Sequence, residues 1–75
     1  MTKDMIMDKI GKAVNDIEND LGKYITIKCK LDGDYVRSSF QNSVTGIEQA
    51  QYWAERWVEE GAIQMTINAT DDRWY

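Results

Sequence analysis

Apolar residues in the first part of the chain recur at helical spacing. Ile6, Ile10, Ala13, Val14, Ile17 and Leu21 share one side of a 3.6-residue wheel, with Asp4, Asp8, Lys12, Asn15 and Asn19 opposite. Thr2 can cap the start and Gly22 is the natural stop. Gly11 falls in mid-helix, where glycine costs about 1 kcal/mol relative to alanine, so the sequence suggests close packing at that position.

From Tyr24 the period changes to two. Ile25, Ile27, Cys29 and Leu31 alternate with Tyr24, Thr26, Lys28 and Lys30, and Asp32-Gly33 reads as a two-residue type I′ turn. That turn predicts a hairpin pairing Leu31 with Asp34, Cys29 with Val36, Ile27 with Ser38 and Ile25 with Phe40. The opposite face then pairs Lys30 with Tyr35, Lys28 with Arg37 and Thr26 with Ser39. Thr45 and Glu48 fit the two ends of a capping box opening a second helix. That helix would bury Ile47, Ala50, Ala54, Trp57 and Val58 and stop near Gly61. Ile63, Met65, Ile67 and Ala69 alternate with Gln64, Thr66 and Asn68 to give a third strand, and Asp71 to Tyr75 form a polar and aromatic tail.

The predicted fold class is α+β, in the order α-β-β-α-β, forming one small domain over residues 1–75. Two helical stripes and one apolar sheet face must cover each other, which places both helices on the same side of a three-stranded sheet. A crossover helix makes strand 3 parallel to strand 2. Placing strand 3 beside strand 1 gives an antiparallel sheet of order 2-1-3; strand 3 beside strand 2 is the alternative. Either leaves the second sheet face open.

Composition narrows the chemistry. Seventy-five residues lie near the lower limit for folding without disulfides or metals, and a single cysteine cannot form an intramolecular disulfide. Three Trp, four Tyr and one Phe are many aromatics for that length. No apolar run approaches the length of a membrane span, and Met1 leads into charged residues without a signal-peptide core. With the lone Cys29, this suggests a cytoplasmic protein with no membrane partner. The net charge of −4 mildly disfavours nucleic acid as a main partner, yet is too small for a whole-molecule mimic of DNA.

Catalysis is not expected. The chain has no histidine, the commonest general base and metal ligand, and the register turns Cys29 into the core, away from Lys28 and Lys30. Asp32-Gly33-Asp34 is a turn and lacks the ligand spacing of a calcium loop. No metal or organic cofactor is implied.

Three surfaces are candidates for binding. On the second helix Glu48, Glu55 and Glu59 form an acidic stripe that includes Tyr52, with Trp53 and Arg56 beside it. Aromatics and arginine within a polar rim are typical of interface hot spots, although a solvated face has the same pattern. The open sheet face would carry Lys28, Lys30 and Arg37 with Tyr24 and Tyr35, framed by Thr26, Ser39, Gln64, Thr66 and Asn68. Cations and tyrosines on a sheet can take an anion or single-stranded nucleic acid, or can be a wetted face with snorkelling lysines. The third surface is the tail, where Trp74 and Tyr75 either fold back or dock on a partner.

The strand–helix–strand segment from Tyr35 to Ala69, with Ile47-Glu48-Gln49-Ala50 and Ala54-Glu55-Arg56-Trp57, resembles in topology small bacteriophage-encoded inhibitors of host machinery. These include anti-CRISPR proteins and phage inhibitors of bacterial RNA polymerase. The resemblance covers half the chain and carries no diagnostic motif. It implies an inhibitor that occupies a basic nucleic-acid channel of a host protein, such as a CRISPR effector, with acidic side chains. A small nucleic-acid-binding module using the sheet face is the alternative. A homodimeric structural protein, joined through free edge strands, is a third possibility.

Overall fold

A computed structural model of the protein describes residues 2–19 and 22–71, and its elements run α1 (Lys3–Glu18), β1 (Tyr24–Leu31), β2 (Asp34–Gln41), α2 (Val44–Glu59) and β3 (Ile63–Thr70). Leu21, Trp74 and Tyr75 lie outside the described residues. The sheet order is β2-β1-β3 with β1 antiparallel to both neighbours, so strand 3 sits beside strand 1. Every hairpin pair read from the alternation is present, from Ile25–Phe40 to Leu31–Asp34, and the ladder extends one pair further to Tyr24–Gln41. The reason is local: Asp32 and Gly33 both have positive φ, 52° and 84°, as a type I′ turn demands. Such a turn leaves no freedom of register.

Both helices contribute to one core with the sheet. Ile6, Ile10 and Ala13 of α1 and Ala50, Ala54 and Trp57 of α2 meet Ile25, Ile27, Cys29, Phe40, Met65 and Ile67. Thr2 caps α1, its hydroxyl accepting from the Met5 amide at 3.3 Å. No helix among the described residues is long and apolar enough to cross a membrane.

Four local expectations need correction. The cap of α2 is Ser43, whose Oγ accepts from the Gly46 amide at 3.0 Å; Thr45 lies already inside the helix, so Glu48 cannot close a capping box. The third helical residue is thus Gly46, and its missing side chain is what lets the first turn rest against Gln41. At its other end α2 closes as a Schellman motif: Ala62 N–H donates to Trp57 C=O at 2.9 Å and Gly61 N–H to Val58 C=O at 3.1 Å, with Gly61 at φ 97°.

The second correction concerns β3. Lys28 pairs with Thr66 but Lys30 pairs with Ile63, so one extra residue is inserted on β3, where Gln64 adopts φ 55°. This bulge breaks the alternation before Met65 and leaves Ile63 58% exposed, not in the core.

Third, Gly11 does not mediate close packing. It is exposed, and a Cβ there would meet nothing within 4 Å. Gly11→Ala is therefore expected to stabilise the protein by about 0.5–1 kcal/mol, through helix propensity and a less flexible unfolded chain. Urea unfolding followed by circular dichroism would show the midpoint rise; a fall would mean that the helix surface at Gly11 is occupied.

The fourth correction is on the second sheet face, which is not uniformly open. Thr26 and Ser39 are only 9% and 7% exposed. Their hydroxyls share a hydrogen bond of 2.9 Å, and Thr26 shares another of 2.6 Å with Thr70. Three strands are thereby joined by a row of hydroxyls, and burial of these groups is tolerated because each is bonded.

Candidate functional site

The exposed side of α2 begins from its anchoring residue. Trp57 is buried in the core, and one turn earlier Trp53 packs on it with ring centroids 6.0 Å apart and planes tilted by 39°. Tyr52 meets the edge of Trp53 in a T-shaped contact at 5.4 Å and 86°. The three rings form a ridge from core to surface, along which Trp53 is 40% and Tyr52 55% exposed. Edge-to-face contacts of this kind add about 0.5–1.5 kcal/mol beyond area burial, so the ridge is held in shape.

Charged residues fix its outer end. Arg56 Nη1 donates to Tyr52 Oη at 3.2 Å, and Arg56 Nε lies 3.6 Å from Glu60 Oε1. The Tyr52 hydrogen bond, followed by the Glu60 and Glu59 carboxylates, raises the Arg56 pKa further above its ordinary value. Tyr52 is thus held by a cation that is itself held.

The acidic stripe is only partly as expected. Glu48 and Glu59 are exposed, but Glu55 is half-buried and turns to α1, 3.9 Å from Lys3 Nζ. The position of Glu55 on the wheel suggested full exposure; α1 lies close enough to claim it. Lys3, Ile6, Tyr52, Glu55, Arg56 and Glu59 line a cleft of about 480 Å³ between the two helices. Lys3 and Ile6 were not among the expected site residues. They belong to the other helix, and only tertiary packing brings them here.

On the sheet face, Lys28 and Arg37 stand directly opposite each other, with Thr66 opposite Lys28 on the other side. Thr26, Lys28, Arg37, Thr66, Asn68 and Thr70 line a concavity of about 230 Å³. The other residues expected on this face do not join it. Lys30 lies over the Tyr35 ring at 5.9 Å, a cation–π contact near the hairpin end, and Tyr24 lies at the other end of β1.

A groove that the sequence did not indicate lies where α1 meets the start of β3. Met5, Val58, Ala62, Ile63, Gln64 and Met65 line about 410 Å³. The available signal was Met5 standing off the apolar stripe of α1; the contribution of Ile63 depends on the bulge. Cys29 is buried, as the register requires, and desolvation pushes its thiol pKa up, which disfavours the reactive thiolate.

No family model, curated protein or solved structure matches the chain. Function therefore has to be argued from its own residues.

Proposed function

We propose that this chain is a non-enzymatic protein-binding module that docks the outer face of α2 on a basic site of a partner protein. The reading includes a phage-type inhibitor that blocks the nucleic-acid-binding site of a host enzyme, such as a CRISPR effector. The observation that carries it is the ridge Trp57–Trp53–Tyr52, rooted in the core and braced outside by Arg56. Large rigid aromatics lose little conformational entropy on binding and supply most of the energy in protein interfaces. Glu48 and Glu59 flank Tyr52 on the same exposed stripe and favour a basic partner. The phage comparison rests on size, acidic balance and the topology from Tyr35 to Ala69.

Steering and anchoring should separate kinetically. Glu48→Lys with Glu59→Lys should preserve folding, because both side chains are exposed. Association with the partner should slow by about tenfold or more as steering reverses sign. Tyr52→Ala should instead speed dissociation, costing about 1–3 kcal/mol of binding. The partner for these measurements would come from affinity capture in a bacterial lysate. If neither change alters its binding kinetics, the face of α2 is merely solvated.

A further inference from the structure

The two outer strands of the sheet differ in what their edges carry. β2 holds Asp34 and Arg37, and charged side chains on an outer strand discourage pairing with another chain. The eight residues of β3, from Ile63 to Thr70, include neither a charged residue nor proline. Among the described residues β3 has a strand neighbour, β1, on one side only. Every second residue of a strand turns its N–H and C=O away from such a neighbour, so the outer edge is a template for a further strand. The bulge at Gln64 limits regular pairing to residues 65–69, about the length of an ordinary strand. Where that stretch begins, Met5, Val58 and Ile63 line the groove of about 410 Å³, and Met5 and Ile63 are 48% and 58% exposed. Carboxylates stand at both ends. Glu59 and Glu60 precede β3 and Asp71 follows it, all three exposed, and Arg56 offsets the charge of Glu60.

We propose that the outer edge of β3 takes an extended segment of a partner protein, uncharged along its centre and flanked at both ends by lysine or arginine. Main-chain hydrogen bonds to residues 65–69 supply the pairing, and an apolar side chain of the segment enters the groove beside Ile63. A basic residue beyond each end of the segment meets an acidic end of β3, whichever way the segment runs. A second copy of this chain fits less well. Parallel self-pairing sets like ends together, and antiparallel self-pairing sets Asp71 of each copy against the Glu59 and Glu60 end of the other. Either arrangement gathers carboxylates that repel. Use of this edge does not depend on how the aromatic ridge of α2 is used.

The test is amide-resolved NMR titration of the full chain with a short synthetic peptide of alternating valine and threonine that carries a lysine pair at each end. Saturable shifts are expected at Met5 and residues 63–69, with slowed hydrogen exchange at the outward-facing β3 amides. The dissociation constant should be on the order of 0.1–1 mM for so small a contact. N-methylation of all the valines and threonines removes the peptide's main-chain donors, keeps its charges, and should weaken binding by about tenfold or more. A peptide with glutamate pairs at its ends should bind weaker by a similar factor. Asp71→Lys should weaken the lysine peptide and strengthen the glutamate one, each by about threefold. Ile63→Ser, at an exposed position, should weaken the lysine peptide by about threefold. Tyr52→Ala should leave its binding unchanged, which keeps this outcome distinct from that of the α2 reading. No saturable binding, binding that survives N-methylation, or shifts centred on Lys28 or Trp53 in place of β3 would overturn the proposal. So would a dimer in sedimentation equilibrium that protects the same β3 amides without peptide, since the edge would then belong to a second copy.

Discussion

Gly46→Ala is expected to leave little of the chain folded at room temperature. A Cβ at this position would overlap the carbonyl oxygen of Gln41 and lie 2.9 Å from its carbonyl carbon. The obstacle is backbone and cannot rotate away. Gln41 closes β2, its carbonyl already accepts from Ser43 N–H at 2.9 Å, and the Ser43 cap begins α2 immediately afterwards. Relief requires moving the first turn of α2 off the sheet and sacrificing the cap, the Gln41 bond or the seating of Ala50. Overpacking typically costs about 1–3 kcal/mol, and a clash against fixed backbone falls at or above the top of that range. A domain of 75 residues has only a few kcal/mol to lose. Urea unfolding monitored by tryptophan fluorescence would measure the loss. A shift below about 1 kcal/mol would mean that the β2–α2 junction is looser than described.

Trp57→Ala should be comparably severe, at about 3–5 kcal/mol, because it empties the largest side-chain volume that α2 contributes to the core. Trp53→Ala removes the same kind of ring from a position that is 40% exposed, and should cost clearly less. The pair separates foundation from surface along a single aromatic ridge. Trp57→Ala should abolish partner binding through unfolding, whereas Trp53→Ala should leave the far-ultraviolet circular dichroism of a folded α+β protein. Equal losses of stability for the two would show that Trp53 belongs to the core and not to a docking face.

The elements most legible in the sequence were those dictated by local chemistry. Asp32-Gly33 sets the hairpin register on its own, and the spacing of Ile6, Ile10 and Ala13 sets the buried side of α1. The features missed depend on what lies across a gap. Ser43 and Thr45 are equally capable caps, and it is the approach of Gly46 to Gln41 that selects Ser43. The bulge at Gln64 left no clear mark, since Ile63-Gln64-Met65 reads as ordinary alternation and glutamine seldom takes positive φ. Of the candidate site, Tyr52, Trp53 and Arg56 come together as the wheel implied. Glu55 does not stay on the open stripe, because Lys3 from another helix meets it. On the sheet the Lys28–Arg37 rung followed from register, while the burial of Thr26 and Ser39 did not. Their polar side chains suggested solvent, whereas hydrogen bonds to one another satisfy them.

Whether the α2 face meets the partner is tested most directly by placing a photo-crosslinking benzoylphenylalanine at position 53 and, in a separate protein, at position 35. Both aromatic side chains are exposed, but Trp53 lies on the α2 ridge and Tyr35 on the sheet near the hairpin turn. After irradiation in a bacterial lysate, docking through the α2 face should give a discrete covalent adduct from position 53, lost when Glu48→Lys and Glu59→Lys are added, and none from position 35. An adduct formed from position 35 alone, or one from position 53 that survives the charge reversal undiminished, would contradict it.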